Sequence, residues 1–274
     1  MKNEDIGRRA ATEFRKEINL GTDPINSLVW LIEHRMGVGV AFVKTNARGH
    51  GLTVQRGSQT MIAVGCTPHP MRLRSTLAHE IGHLRLGTVS SSPSNSGWQE
   101  RSCQEIQADA FARHLLLPLD SVRTWCESET LTLVVLSNLV QHFGVSPKIA
   151  AIQLREAGFL DEDTADHWGN YSTRTLAQRF GWRSRYETMV AEALTPRAPQ
   201  ALFTRATYAY EWGLVSAAAL ARLNGSDSAI AMAKQLEEAG ITPQPLPDIT
   251  ASRPQESKAG LTEAERLALS EAAD

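Results

Sequence analysis

Apolar residues recur every fourth position at the start of the chain, at Ile6, Ala10, Phe14 and Ile18, among charged neighbours. That spacing predicts an amphipathic helix over residues 2–18. Asp23-Pro24, an N-cap residue followed by proline at the first helical position, opens a second predicted helix that runs to about Met36, before Gly37. The period then shortens. VAFVKT (40–45), GLTVQ (51–55) and TMIAVG (60–65) are β-prone runs parted by turn residues such as Arg56-Gly57-Ser58, and they predict a small antiparallel sheet.

From Met71 the helical period returns, with Leu73, Leu77, Ile81 and Leu84 in one apolar stripe that stops before Gly87. TVSSSPSNSG (88–97) reads as a loop, and a further helix is predicted from Gln99 to Leu117, ended by Pro118. Helical patterning then covers 131–143, 147–157, 172–180, 186–193, about 200–223 and 226–239. Residues 241–274 are Pro/Ser-rich with six acids against three bases, and they predict a disordered tail with a short helix near 262–272. No internal repeat is evident.

Composition narrows the choice of partners. A formal net charge of −2 provides no overall basic field for nucleic acid or anionic membrane. The opening MKNEDIGRRAATEFRKE has no apolar core of a secretory signal, and no run approaches the roughly eighteen apolar residues of a membrane span. Cys66, Cys103 and Cys126 are odd in number and widely spaced, which argues against a disulfide framework and for reduced thiols. The expected location is therefore the cytoplasm. Cys103 is the thiol of most interest, because it lies close to a candidate metal ligand.

His79-Glu80-Ile81-Gly82-His83 is an H-E-x-x-H sequence inside a predicted helix. Residues four apart lie one turn above each other, so both imidazoles reach a single cation while Leu77 and Ile81 turn away toward a core. Glu80, beside the first histidine, is placed to polarise a water molecule and not to bind the metal. A catalytic zinc ion needs a third protein ligand, and the next helix offers Glu100, Glu105 and Asp109. In thermolysin-like zinc enzymes an E-x-x-x-D pair divides the labour: the glutamate binds zinc and the aspartate accepts the other N–H of a ligand histidine. Glu105 and Asp109 suit those roles, whereas Glu100 also reads simply as a solvent-exposed acid at a helix start, where the helix dipole favours it. Small Ala108 and Ala112 would let the two helices approach closely.

The phrase RSTLAHEIGHLRLG, followed by EIQADAFARHLLLP, resembles the ImmA/IrrE family of metallopeptidases over roughly residues 15–160. The resemblance implies His79, His83 and Glu105 as ligands of one Zn2+ per chain and Glu80 as catalytic acid/base. It also implies cleavage of a transcriptional repressor. The chain departs from the family in three ways: Thr88 stands where members often carry another histidine after HEIGH, residues 166–240 read as all helical, and little chain precedes the peptidase region. The expected fold class is α+β, a small antiparallel sheet packed with zincin-type helices. Residues 1–162 are expected to form the peptidase domain, including a helix-turn-helix-like hairpin, residues 163–240 an all-helical C-terminal domain, and residues 241–274 a flexible tail.

Other chemistry is less defined. Arg72, His142 and Tyr171 are candidates for the oxyanion donor that peptide hydrolysis needs. Leu136 to Leu154 has the spacing of a helix-turn-helix, but its second helix carries only Lys148 and Arg155 as cations, with Glu156 beside them. Arg174, Arg179, Arg183 and Arg185, interleaved with Phe180 and Trp182, form a candidate patch for nucleic acid or an acidic partner. Two functions therefore stand: a zinc endopeptidase acting on a protein substrate such as a helix-turn-helix repressor, or a DNA- or protein-binding regulator that keeps an inactive peptidase-like domain. The intact Glu80 favours the first, since a scaffold has no chemical need for it.

Overall fold

The computed structural model describes residues 2–89, 102–127 and 130–244. The chain opens with α1 (Asn3–Glu17), which lies along α4 (Cys103–Leu116). Gly7 makes this approach close, since a Cβ there would stand 2.3 Å from the Gln107 carbonyl oxygen. The second helix is shorter than its sequence signal. It begins at α2 (Leu28–Trp30) and continues as a π-helical segment, Leu31–Arg35, capped by Ser27, whose hydroxyl accepts the Trp30 N–H at 3.1 Å. Asp23-Pro24 lies outside it. The carbonyls of Gly21, Asp23 and Leu115 are instead gathered by the buried Arg15 guanidinium, which pins the α1–α2 connection to the end of α4.

The strands are β1 (Gly39–Val43), β2 (Gly51–Arg56) and β3 (Gln59–Gly65), in the order β1-β3-β2. The sheet is mixed and not purely antiparallel, because β1 runs parallel to β3 while β2 pairs antiparallel with it. Loop length accounts for the difference. The tight Gly57-Ser58 turn forces β2 and β3 to be neighbours, whereas the longer 44–50 connection lets β2 pass to the far edge of β3.

α3 (Pro70–Leu86) crosses this sheet with proline in its first turn and ends at Gly87, whose φ of 65° permits the left-handed stop. α4 packs directly on α3. Gly82 sits at the contact, where a Cβ would be 3.1 Å from the Phe111 ring and 3.2 Å from Ala108 Cα. The small residues expected to allow close approach are buried at this seam, with Ala108 at 0% and Ala112 at 4% exposure.

Beyond Pro118 the chain is helical: α5 (Leu119–Cys126), α6 (Leu133–Phe143), α7 (Pro147–Glu156), α8 (Glu162–Gly169), α9 (Thr173–Arg179) and α10 (Arg183–Leu194). α5 and α8 were not foreseen as separate helices. The run expected over 200–223 is two helices, α11 (Gln200–Glu211) and α12 (Ala217–Leu223), divided at Gly213 with φ 69°. α13 (Ala229–Glu238) follows.

The main core joins the sheet, α3 and α4 to Ala165, Leu176, Ala177, Trp182, Tyr186 and Ala193. A second, small cluster of Leu220, Ala221, Met232 and Leu236 belongs to α11–α13. The predicted loop beyond Val89, the start of the helix expected from Gln99, and the tail expected as disordered, beyond Gln244, lie outside the described residues. Among the described residues no helix is long and apolar enough to cross a membrane.

Candidate metal centre

His79 and His83 project from one face of α3, their ring centroids 4.7 Å apart and their planes at 76°. Their Nε2 atoms lie 3.0 Å from each other. Glu105 reaches both from α4, with Oε2 at 3.2 Å from His79 Nε2 and Oε1 at 3.4 Å from His83 Nε2. Glu105 owes its place to the helix start. Ser102 caps α4 by accepting the Glu105 N–H at 3.2 Å, which puts this acid in the first turn, where the helix dipole favours a negative charge.

The outward nitrogens are tied off. His79 Nδ1 is 2.9 Å from Asp109 Oδ1, and His83 Nδ1 is 2.8 Å from Thr88 Oγ1. Thr88 arrives there through the α3 stop. Gly87 turns the chain back, and the Thr88 N–H donates to the His83 carbonyl at 2.9 Å, which brings its hydroxyl to the ring of the same residue. Such partners on the far ring nitrogen set the tautomer and the orientation of a ligand histidine.

His79 Nδ1 donates to the Asp109 carboxylate and so leaves its Nε2 a lone pair. With His83 Nδ1 donating to Thr88 in the same way, both Nε2 lone pairs face each other and the Glu105 carboxylate, an arrangement suited to a cation. Tetrahedral zinc bound at 2.0–2.1 Å places its donor atoms about 3.3 Å apart. The 3.0 Å between the Nε2 atoms and the 3.2 Å from His79 Nε2 to Glu105 Oε2 are close to that spacing, and His83 Nε2 lies 3.4 Å from the other carboxylate oxygen, Oε1. His79, His83 and Glu105 are a group that could hold a metal ion, one ligand atom from each lying within 4.8 Å of the others.

The two histidines differ in their electrostatic surroundings. Burial disfavours charge on His79, but the hydrogen bond and charge of Asp109, joined by Glu105 and Glu80, outweigh it and raise its pKa above the usual imidazole range. Burial and the neighbouring His79 together lower that of His83. One proton is therefore held readily by the pair and a second is resisted.

Glu80 is buried at 8% exposure and meets none of the three ligand atoms in a hydrogen bond. Its Oε2 accepts the Thr53 hydroxyl from β2 at 2.6 Å. The residues that sequence reasoning missed are Thr53, Gly51 and the partner role of Thr88. The available signals were a threonine amid β-prone residues and a hydroxyl just past a helix stop.

Other sequence candidates are placed elsewhere. Glu100 lies outside the described residues. Cys103 is exposed at the start of α4 and is not part of the metal-binding group. His142 packs on Trp125 with ring centroids 4.6 Å apart, Tyr171 stands edge-on to His167, and Arg72 lies along Gly49. None of these three bonds to His79, Glu80, His83 or Glu105.

In the α6–α7 hairpin Ser146 caps α7, the Lys148 backbone packs against Gly169 of α8, and Arg155 pairs with Glu156 at 3.7 Å. Within the arginine cluster Trp182 is a core residue whose indole N–H donates to Ser137 Oγ at 2.9 Å. Arg183 is engaged by Glu187 at 2.6 Å and by Gln178 at 3.2 Å.

Residues 34–155 match the family model of the IrrE N-terminal-like domain (Peptidase_M78). No curated protein matches the chain. The matched span contains the whole sheet, α3 and α4, and so every residue of the metal-binding group. Over those residues the chain is similar to a metallopeptidase-type domain of this family.

Proposed function

We propose that this IrrE N-terminal-like domain is a zinc-dependent endopeptidase that hydrolyses a peptide bond in a protein substrate in the cytoplasm. His79, His83 and Glu105 hold the ion, Glu80 is the acid/base, and Asp109 orients His79. The observation that supports this most is the convergence of two Nε2 atoms and one carboxylate, with both opposite ring nitrogens already engaged. A zinc ion there would polarise a water molecule and the scissile carbonyl.

The side chains supply the rest. Glu80 accepts a proton from the attacking water and returns it to the leaving amine. Asp109 and Thr88 keep the imidazoles in the tautomer that presents Nε2, so no reorientation is needed when the ion or substrate arrives. The walls of α3 and α4, packed on Gly82 and Ala108, hold these groups on rigid elements and limit misplacement of the reacting atoms.

The resemblance to the ImmA/IrrE family makes a helix-turn-helix transcriptional repressor the substrate to try first. The test loads the full chain with zinc, measures one ion per chain, and follows cleavage of such a repressor encoded nearby. Wild type should cut it and Glu80→Gln should bind zinc without cutting. Equal behaviour of the two proteins would overturn the enzymatic reading in favour of a regulator that keeps an inactive peptidase-like domain.

A further inference from the structure

Glu80 is held by a strand and not by a cation. Thr53 Oγ1 donates to its Oε2 at 2.6 Å, and Thr53 is itself 7% exposed, the one buried residue of β2. Two residues earlier on the same strand, Gly51 leaves room for the other oxygen: a Cβ there would stand 2.5 Å from Glu80 Oε1 and 2.7 Å from Thr76 Cγ2. The loop that leads into the strand is tied to α3 one turn away, where the Thr76 hydroxyl donates to the Gly49 carbonyl at 2.9 Å. Thr76 and Glu80 are four apart and share a helix face, so the two bonds together set how β2 sits over α3. Among the described residues no lysine or arginine pairs with Glu80.

We propose that Thr53 is a positioning residue for the proton-exchanging carboxylate. Its hydroxyl anchors Oε2, and Oε1, beneath Gly51, is left to exchange a proton with a ligand at the metal centre. This rests on the reading of Glu80 as acid/base.

The choice of donor has a physical reason. A single directional hydroxyl bond fixes one carboxylate oxygen and leaves the other without a side-chain donor among the described residues. Threonine does so more rigidly than serine, because two substituents on Cβ restrict χ1. Its buried hydroxyl costs free energy unless bonded, so it is not an interchangeable filler for valine. Without it a flexible carboxylate is free to swing away, or toward the histidines and the cation they share.

The test uses the zinc-loaded full chain and acetohydroxamic acid, a small zinc chelator that gives up its N-hydroxyl proton to a neighbouring base as it binds as the acetohydroxamate anion. Its dissociation constant is measured by calorimetry for wild type, Thr53→Val, Thr53→Ser, Gly51→Ala and Glu80→Gln, alongside zinc affinity and melting temperature. Wild type should bind about tenfold more tightly than Glu80→Gln, the scale of one hydrogen bond to a charged group. Thr53→Val should fall close to Glu80→Gln with zinc affinity unchanged, and Thr53→Ser should recover most of the loss. Gly51→Ala should weaken binding in the same way by displacing Oε1, and it supplies the answer if Thr53→Val does not fold.

A Thr53→Val or Gly51→Ala protein that folds and binds acetohydroxamate like wild type overturns the proposal. So does a loss that Thr53→Ser does not restore, which would mark a packing role. Equal binding by wild type and Glu80→Gln is a different result: it removes the acid/base role of Glu80 on which the positioning depends.

Discussion

The metal centre and the α11–α13 unit are built in opposite ways. The centre stands on α3 and α4, whose backbones meet at Gly82 and Ala108, and its histidines are braced from both sides. α11–α13 bury only Leu220, Ala221, Met232 and Leu236 in their own cluster, and they leave Leu214 at 76% and Ile230 at 86% exposure. A cleft of about 470 Å³, lined by Phe42, Met61, Pro196, Leu202 and Leu223, lies between this unit and β1, which α11 still touches. A site that must place atoms to within a fraction of an ångström needs close-packed support. A unit with four buried residues has little cohesion beyond its link to the rest.

The largest expected effect comes from shortening the chain. A protein ending at Asp161 loses Leu176, Ala177, Trp182 and Tyr186 from the main core and should fail to fold cooperatively, as read by calorimetry. A protein ending at Pro199 loses only α11–α13 and should keep its zinc affinity and most of its melting temperature. If the two shortened proteins behave alike, the contrast between the regions is wrong.

Next in size are changes within the centre. Glu105→Ala removes a proposed ligand and should weaken zinc binding more than any change around it. Asp109→Asn and Thr88→Ala remove only the bracing of a ligand and should each cost about 10- to 100-fold in affinity by competition titration. Asp109→Asn should cost more, because a carboxylate supports its imidazole better than a hydroxyl does.

Zinc affinity should fall as pH is lowered, because a ligand histidine must be neutral. The folded pKa of His79 is raised, so proton competition sets in above the usual imidazole range and strengthens as pH falls through it. Affinity that stays flat between about pH 5 and 8 would exclude a two-histidine site.

The smallest effect concerns how the centre's foundation is tied to α1. Glu4 is partly buried and bonded to His114 and Arg113, which hold its pKa down to about 2 from 4.5 despite burial. A depressed carboxylate stabilises the fold above its unfolded pKa, and that contribution is lost as pH falls through the folded value. Glu4→Gln should therefore lower the melting temperature at neutral pH and flatten its decline between about pH 4.5 and 2, with little change in zinc affinity.

What the sequence determined by itself is local in origin. The i, i+4 spacing of His79 and His83 puts both on one helix face whatever surrounds the helix, and Glu105 and Asp109 share a face for the same reason. The stop at Gly87 is readable because it depends on one residue, whereas the start of α4 at Cys103, capped by Ser102, lies beyond the Gln99 that the sequence pattern suggests. The tertiary structure decided what comes from far along the chain. Alternation alone would turn the apolar Leu52 and Val54 of β2 inward, yet each is 43% exposed and Thr53 faces α3. The antiparallel sheet expected from three short strands became mixed once a tight turn and a longer loop competed for the place beside β3. Asp23-Pro24 carries a sound helix-start signal, yet the helix begins at Leu28, with Arg15 holding the Asp23 carbonyl. In each case a local preference worth about one kcal/mol was overruled by buried hydrogen bonds and packing that exist only once distant segments meet.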